Sequence, residues 1–346
     1  MKIDTIRLGI VGAGNNTCQR HIPGFKAIEG VEIVSVCNRS IESSKRVAKE
    51  FDIPKVYDDW TELVRANDTD AICIGTWPNL HCVISLAALD VDKHVLTEAR
   101  MAMNAAEARS MRDASITKPY IVTQVVPAPM TLQYDETIKE LIDQGILGDI
   151  LAVDIRGHDS SFVDKKSPMH WRQDQRLSGF NILNMGIWYE ALMRWVGPAT
   201  SVQAMTKVNV DLRMNAERRI QRVTVPDHVD VLASLECGAQ AHLRFSSVMG
   251  HSRPSEFWIF GSDATIYKDM SDDKLWLGSR EDGDLVEFEI PLEKRSMWRV
   301  EEDFINSIRG SEPVRLTSFD DGVRYMEFTE AVTKSAQTGH TIDLPI

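Results

Sequence analysis

A glycine-containing turn near the start of the chain has the spacing of a phosphate-binding loop. Residues 9–17, GIVGAGNNT, follow an apolar run of strand length and precede a segment with helical character. Gly12 allows a tight turn, and Gly14 allows the backbone to approach a phosphate at the amino end of that helix. Thr17 replaces the third glycine of the usual pattern, so we expect the helix and strand to separate slightly or the ligand to shift. The turn predicts a dinucleotide site that also includes Asn15 and Asn16, with a purely structural turn as the alternative.

The end of the second apolar run indicates which dinucleotide is bound. It ends at Asn38-Arg39, close to the place about 20 residues beyond the turn where an acidic residue binds the ribose diol of NAD. No acid is present there. Asn38 is able to hydrogen-bond a ribose hydroxyl, and Arg39 is able to hold a 2′-phosphate through charge-assisted bonds. NADP is therefore at least as well supported as NAD, although Arg39 is also explained as a solvated loop charge.

The first 126 residues alternate strand-length apolar runs with helix-length segments. This alternation predicts right-handed crossovers and a doubly wound parallel sheet, which is the Rossmann arrangement. The predicted strands are Ile6–Val11, Glu32–Cys37, Ala71–Gly75, His94–Thr97 and Tyr120–Gln124, and the predicted helices are Ile41–Phe51, Trp60–Arg65, Leu80–Leu89 and Ala105–Ser115.

The pattern changes after Pro127 and Pro129, where strand-like segments begin to dominate. We therefore predict two α/β domains, residues 1–126 and 127–346, the second with an open, largely antiparallel sheet. Packing of the C-terminal helix on the first domain is compatible with this division. The predicted helices of the second domain are Leu132–Gln144, Met297–Ile308 and Asp320–Ser335, and its predicted strands are Ile150–Arg156, Ser201–Val208, His228–Glu236, Gln240–Ser246, Glu256–Phe260 and Leu285–Ile290.

Composition excludes several classes of function. The 346 residues carry a formal net charge of −12, which disfavours broad attraction to nucleic acid or anionic lipid. The five cysteines are scattered, without metal-ligand spacing or a disulfide framework, as in a reduced cytoplasmic protein. The first apolar run is too short for a signal peptide or a membrane span. We expect a cytoplasmic protein that binds a small molecule and no metal, nucleic acid or membrane.

Several motifs together resemble one oxidoreductase family. They are the Gly-Ala-Gly turn, Asp70-Ala71-Ile72 leading to Thr76 and His81, His94-Val95-Leu96-Thr97-Glu98, Gly145-Ile146-Leu147-Gly148, and Glu330-Ala331-Val332 with Ser335 and Gly339. This set is similar to the glucose–fructose oxidoreductase, inositol dehydrogenase and rhizopine catabolism (Gfo/Idh/MocA) family. The resemblance implies hydride chemistry on a sugar, inositol or polyol carbon, a homodimer or homotetramer built on the second sheet, and cofactor contacts from Thr76, Trp77, His81 and Glu98.

The chain departs from this family at the positions that handle protons. The usual Glu-Lys-Pro is Glu98-Ala99-Arg100, so the lysine is missing. The usual Asp and His around a Gly are replaced by Asn184 and Trp188. Oxidation of an alcohol still requires a proton acceptor, preferably one that titrates near neutral pH.

Replacement groups for this chemistry lie in the family's substrate-facing region. We predict His170 as the proton acceptor, with Tyr189 and Glu190 as second choices, and each is also explained by surface or packing roles. Three arginines in one cleft would suit an acidic substrate, although each alone is typical of a surface charge. The predicted substrate contacts are Arg100, Trp171, Arg172, Arg176, Asn184 and Trp188.

Three functions follow from these motifs. The first is an NAD(P)-dependent oxidoreductase with a non-standard proton relay, acting on a sugar-derived, polyol or related acidic molecule. The second is a lyase or glycoside-cleaving enzyme that oxidises its substrate transiently and returns the hydride. The third is a dinucleotide-binding sensor or partner subunit without catalysis.

Overall fold

The computed structural model describes residues 5–159 and 161–346. In chain order its elements are β1 (Ile6–Val11), a π-helical turn (Thr17–His21), α1 (Ile22–Lys26), β2 (Val31–Cys37), α2 (Ile41–Glu50), β3 (Lys55–Val56), α3 (Trp60–Arg65), β4 (Ala71–Ile74), α4 (Pro78–Asp90), β5 (His94–Thr97), α5 (Ala105–Ile116), β6 (Thr123–Val125), α6 (Leu132–Asp143), β7 (Ile150–His158), a 3₁₀ turn (Trp171–Gln173), α7 (Gln175–Ser178), α8 (Met185–Val196), β8 (Ala199–Lys207), β9 (Leu212–Met214), β10 (Ile220–Arg222), β11 (His228–Leu235), β12 (Gln240–Ser246), β13 (Glu256–Gly261), β14 (Ala264–Asp269), β15 (Leu275–Ser279), β16 (Val286–Phe288), a 3₁₀ turn (Leu292–Lys294), α9 (Val300–Ile308), α10 (Phe319–Thr338) and β17 (Ile342–Asp343).

The chain forms two compact units. The first comprises Met1–Pro127 together with Arg299–Val323, and the second comprises Ala128–Trp298 together with Arg324–Ile346. Helix α9 therefore belongs to the first unit, although it follows every strand of the second sheet except β17 in the sequence.

The first unit is built on a six-stranded parallel sheet in the order β3-β2-β1-β4-β5-β6. Its central strands are buried on both faces, as expected for parallel strands covered by crossover helices. Polar side chains that accept the first amides fix the starts of three helices: Ser40 caps α2, Asp59 caps α3 and Asn104 caps α5. The predicted Rossmann sheet is confirmed.

The second unit is built on a nine-stranded sheet in the order β16-β15-β14-β13-β7-β12-β11-β8-β17. Neighbouring strands are antiparallel except for β7 and β12, which are parallel. Aromatic side chains pack α8 on the sheet, with Trp195 lying 4.6 Å from Phe257 between ring centroids. The predicted open, largely antiparallel sheet is confirmed.

Most of the predicted elements form within two or three residues of their expected ends. The prediction omitted the short strands β3 and β17, the short helix α7, the pair β9–β10, the strands β14 and β15, and most of α8. Nearly every side chain of α8 is buried, so its sequence lacks the polar stripe that marks a surface helix. Within residues 5–159 and 161–346, the structure contains no helix long and apolar enough to cross a membrane.

Candidate functional site

The carboxyl ends of four parallel strands meet at one edge of the first sheet. Strand β1 is flanked by β2 on one side and β4 on the other, and this reversal of strand order is the place where open α/β sheets bind ligands. The loops that leave β1, β2, β4 and β5 contain most of the predicted cofactor contacts. We call this group of loops the dinucleotide edge.

Close backbone approaches determine the shape of the glycine turn. Gly12 has a φ of +87°, and a Cβ there would lie 2.6 Å from the Thr76 amide nitrogen. Only a glycine at position 75 leaves room for the Thr17 side chain. A Cβ on Gly75 would lie 2.1 Å from Thr17 Oγ1 and 2.2 Å from the Gly12 carbonyl oxygen. The Thr17 hydroxyl donates to that carbonyl. A glycine on the neighbouring strand end therefore accommodates the threonine that replaces the third glycine of the motif.

Asn38 and Arg39 follow β2 with different surroundings. The Ala13 amide donates to Asn38 Oδ1 at 2.6 Å, and Asn38 Nδ2 donates to Ser43 Oγ at 3.2 Å, so this side chain holds the glycine turn against the end of β2. Arg39 is exposed, and its guanidinium carbon lies 5.4 Å from the ring centroid of Trp77. Two of the predicted cofactor residues, Arg39 and Trp77, are thus brought together.

Glu98 connects the loop after β5 to the helix after the glycine turn. Its Oε1 accepts a short hydrogen bond from Asn16 Nδ2 and lies 3.1 Å from His21 Nε2, and its Oε2 accepts from the Ala99 amide at 3.0 Å. These hydrogen bonds to the charged form, with desolvation opposing them, leave the Glu98 pKa below its ordinary value.

His81 connects two of these loops from beneath. The imidazole is fully buried, with Nε2 2.9 Å from the Thr76 carbonyl oxygen and Nδ1 3.0 Å from the Arg100 carbonyl oxygen. Burial lowers its pKa. These contacts give His81 a supporting role for the loops, and direct contact with a cofactor stays a prediction.

The dinucleotide edge fits a nicotinamide dinucleotide. Gly14 and Asn15 are exposed at the start of the helical segment, where backbone amides suit a pyrophosphate. Thr76 Oγ1 is buried and has no hydrogen-bond partner among the described residues, so it is available to a ligand at this edge.

His170 in the second unit is exposed and begins a 3₁₀ turn. The His170 Nδ1 accepts from the Arg172 amide at 3.3 Å. The backbone amide of His170 donates to the side-chain oxygen of Gln173. Desolvation and the Arg172 charge lower the His170 pKa, so the imidazole is neutral at neutral pH. In this arrangement the neutral ring carries its proton on Nε2.

Tyr189 and Glu190 are buried in the second unit. The Tyr189 hydroxyl accepts from the Ala199 amide at 2.8 Å, its ring stacks on Phe328 at 3.6 Å, and burial raises its pKa. Glu190 Oε2 accepts from the Ala128 amide at 2.7 Å and lies 3.4 Å from the Arg194 guanidinium. Both side chains have packing roles, and neither resembles a group ready to exchange protons with a substrate.

The predicted arginine cluster has three different environments. Arg100 belongs to the first unit and is 3% exposed, which corrects its description as a surface charge. Arg176 forms a two-pronged ion pair with Asp174, which offsets its charge. Arg172 lies over the Trp171 ring at 4.3 Å. Because Asp174 offsets the charge of Arg176, the three guanidiniums provide less positive field for an acidic substrate than the sequence predicted.

Asn184 and Trp188 occupy the positions of the missing acid and histidine. Asn184 precedes α8, and its Oδ1 would lie 3.2 Å from a Cβ on Gly157 of β7. Trp188 is 2% exposed and packs edge-on against Phe257 at 6.5 Å. Trp188 is therefore part of the core beneath the sheet, and its predicted contact with substrate stays a prediction.

Comparisons with known proteins identify the family. Residues 6–124 match the model of an oxidoreductase family with an NAD-binding Rossmann fold, named GFO_IDH_MocA, and residues 136–267 match the C-terminal domain of the same family. The chain belongs to the Gfo/Idh/MocA family. The resemblance inferred from the motifs is thus confirmed, and the first unit is an NAD-binding domain.

Other members of the Gfo/Idh/MocA family align over part or all of the chain. A trans-1,2-dihydrobenzene-1,2-diol dehydrogenase from Bos taurus is 30% identical over 53% of this chain and 53% of its own length. An inositol 2-dehydrogenase/D-chiro-inositol 3-dehydrogenase from Lacticaseibacillus casei is 31% identical over 43% of each chain. The chain thus matches about half the length of these relatives. A levoglucosan dehydrogenase in complex with NADH and levoglucosan shares the fold, with a TM-score of 0.87, 20% identity, and coverage of 99% of this chain and 100% of that one.

Two residues of this Gfo/Idh/MocA site were not predicted from the sequence. His21 and Glu301 form an ion pair in which Nδ1 lies 2.5 Å from Oε1, although the residues are 280 positions apart. The position of His21 one helical turn after Thr17 is a signal that it lies beneath the dinucleotide edge. No local pattern signals Glu301, since its partner is distant in the sequence.

Proposed function

We propose that the protein is an NAD(P)-dependent oxidoreductase that transfers hydride to or from a ring carbon bearing a hydroxyl group in a cyclic polyol or sugar derivative. The main support is the dinucleotide edge, where four strand ends and the glycine turn meet at a reversal of strand order. The names of two relatives, which describe a cyclic diol and an inositol as substrates, favour vicinal hydroxyls on a ring.

The residues of the dinucleotide edge bind and orient the cofactor in this proposal. The bound nicotinamide dinucleotide supplies the hydride acceptor or donor. The amides of the exposed residues Gly14 and Asn15 bind the pyrophosphate, and the unpartnered Thr76 hydroxyl donates to the ligand. Arg39 contacts the adenosine end, and a 2′-phosphate there gains a charge-assisted bond.

We assign proton exchange with the substrate hydroxyl to His170. Ala99 has no ionisable group, and the contacts of Tyr189 and Glu190 hold both of them in the interior. The neutral state of His170 at neutral pH suits a proton acceptor. To accept a proton on Nδ1, the ring releases the 3.3 Å contact from the Arg172 amide.

Turnover with a defined set of alcohols tests the proposal. The purified protein is mixed with NAD or NADP and, separately, with myo-inositol, levoglucosan or trans-1,2-dihydrobenzene-1,2-diol. We expect the absorbance of reduced nicotinamide to rise with at least one of these compounds, and the same compound to appear oxidised by chromatography.

Two other results would contradict a net oxidoreductase. A cleaved or dehydrated product without change in reduced nicotinamide would indicate transient oxidation. Tight binding of NADH without turnover of any compound in a wider panel of polyols, sugar acids and glycosides would indicate a binding protein. Omission of the dinucleotide is the control for each reaction.

A further inference from the structure

A buried charge cluster lies directly beneath the dinucleotide edge. The imidazole of His21 is fully buried, with Glu301 Oε1 2.5 Å from Nδ1 and Glu98 Oε1 3.1 Å from Nε2. The side chains of Glu301 and Glu98 are 4% and 15% exposed. All three residues belong to the first unit, with His21 at the end of the π-helical turn, Glu98 directly after β5 and Glu301 on α9.

The contacts of this cluster are best satisfied by two protons on one ring. A neutral imidazole has one N–H and one lone pair, so it donates to only one carboxylate and sets its lone pair against the other. An imidazolium donates to both. The charged ring also offsets part of the negative charge of two buried carboxylates, which is otherwise costly to bury. The arrangement therefore favours a doubly protonated His21 ring at neutral pH.

The fold makes room for this arrangement. Gly24 lies in the short helix α1, where glycine is a poor helix former, and a Cβ there would lie 2.8 Å from Glu301 Cδ. The absence of a side chain at position 24 lets Glu301 reach His21. Packing of Phe25 against Phe304, with ring centroids 6.4 Å apart, holds α1 beside α9.

Glu98 transmits the state of His21 to the loops that bind the dinucleotide. The same carboxylate accepts from Asn16, which is next to the exposed start of the helical segment, and from the Ala99 amide in the loop after β5. If His21 loses the proton on Nε2, Glu98 loses one of its donors and its Oε1 faces a lone pair. Glu98 then shifts, and Asn16 and Ala99 shift with it.

We propose that His21 is a positioning residue whose doubly protonated ring, held between Glu98 and Glu301, sets the geometry of the dinucleotide edge and makes dinucleotide affinity depend on pH. This inference rests on the proposed function only because NADH is the probe for binding. Other titratable groups that interact electrostatically with this cluster are Cys73 on β4 and His81 on α4.

The direction of the pH dependence follows from the surroundings of His21. Burial opposes the charged ring, but hydrogen bonds to Glu301 and Glu98 outweigh it and raise the His21 pKa to about 9. A group whose pKa is raised in the folded state stabilises that state fully when the pH is below the pKa of the unfolded state. For His21 the pKa of the unfolded state is about 6.5, and the stabilisation is lost as the pH rises through about 9. Dinucleotide affinity is expected to fall over the same alkaline range.

Titration of the full-length protein with NADH between pH 7.5 and 10 tests the inference. Loss of one buried hydrogen bond predicts a dissociation constant about tenfold higher at pH 10 than at pH 7.5. The variant H21Q presents one NH2 group and one carbonyl oxygen at all pH values, so it donates to only one carboxylate, and we expect affinity already about tenfold weaker at pH 7.5 and no alkaline step. His94→Gln, which alters a histidine at the opposite end of β5, is the matched control and retains the step.

A second variant keeps the test decisive if His21→Gln does not fold. In E301Q the amide donates to Nδ1 of a neutral ring, which still donates to Glu98, so the contacts no longer depend on a second proton. We expect its affinity to lose the alkaline step. Circular dichroism at each pH excludes global unfolding as the cause.

Nitrogen-detected NMR of the histidine rings supplies a readout that is independent of binding. We expect both His21 ring nitrogens to be protonated at pH 7.5 and one to lose its proton near pH 9. A neutral His21 at pH 7.5, or an alkaline step that persists in His21→Gln or Glu301→Gln, would overturn the inference. Failure of the unaltered protein to bind NADH at pH 7.5 would contradict the proposed function instead, and the ring titration would still test the protonation of His21.

Discussion

The dinucleotide edge and the segment 161–196, which contains all the predicted substrate-side residues except Arg100, organise polar side chains in opposite ways. At the edge, Asn16, Asn38 and Glu98 bond to other strand-end loops, so part-buried hydrogen bonds fix the shape of these loops. In 161–196, polar side chains either support the local fold, as Glu190 does, or face solvent, as His170 does. Internal hydrogen bonds therefore set the geometry of the first region, whereas the proposed chemistry in the second depends on very few exposed groups.

Replacement of His170 should reduce turnover more than any other substitution described below. The experiment tests how strongly the second region depends on this one side chain. Replacement of His170 by Gln removes the proton acceptor, and loss of a general base costs about 100-fold to 10,000-fold in rate. We expect kcat to fall by that factor while NADH affinity, measured by calorimetry, changes little. In the unaltered protein, kcat/KM for alcohol oxidation should decrease as the pH falls, because His170 becomes protonated. Since the His170 pKa is lowered, this decrease should begin only below the ordinary titration range of histidine.

His340→Gln, which alters another exposed histidine of the second unit, is the control for this experiment. Its turnover should equal that of the unaltered protein. Near-normal turnover in the His170 variant on a verified substrate would place the proton acceptor elsewhere.

The next effect concerns the backbone approach that shapes the dinucleotide edge. In G75A the added Cβ meets Thr17 Oγ1 and the Gly12 carbonyl, and backbone atoms cannot move aside cheaply. We expect the free energy of unfolding to fall by about 3 kcal/mol and NADH affinity to fall about 100-fold. Urea unfolding and NADH titration measure the two quantities.

Gly283→Ala provides the matched substitution, since no atom lies within 4 Å of its added Cβ and its φ is unstrained. Its stability and affinity should stay unchanged. A stable Gly75 variant with full affinity would show that the glycine turn tolerates a wider spacing than its contacts indicate.

A smaller effect addresses the choice between dinucleotides. Arg39 is exposed beside Trp77, so a guanidinium there has room to form a charge-assisted bond to a 2′-phosphate. We expect the unaltered protein to bind NADP at least as well as NAD, and R39A to weaken NADP about tenfold with less than a threefold effect on NAD. Calorimetry with both dinucleotides decides this, and much tighter binding of NAD to the unaltered protein would refute the interpretation of Asn38-Arg39.

The smallest effect distinguishes packing from catalysis at Tyr189. Its hydroxyl accepts from the buried Ala199 amide, and an unsatisfied buried amide costs about 1–2 kcal/mol. We expect Tyr189→Phe to lower the free energy of unfolding by that amount and to change turnover by less than twofold. A loss of 100-fold in turnover with normal stability would restore Tyr189 as a catalytic candidate.

The sequence was a good guide to features that are local. The spacing of Gly12 and Gly14 indicated the tight turn after β1 because it reflects backbone constraints within a few residues. The roles of Gly75, Gly24 and Glu301 were not predictable, since each depends on an atom contributed from a distant part of the chain. Trp188 and Tyr189 were interpreted through the family's motif, but their environment is decided by α8, which is buried nearly all round.

Helix α9 completes the first unit from a position about 300 residues along the chain, and this has a consequence for biosynthesis. A nascent chain that has emerged only to Pro127 lacks Glu301, and it also lacks the Thr317 carbonyl that accepts from the Val125 amide on the edge strand β6. The ribosome therefore has to translate all of the second sheet except its last strand, β17, before the Rossmann unit acquires its last structural partners. A gene fragment ending at Pro127, or a domain graft made at that residue, would leave His21 without one of its two carboxylates.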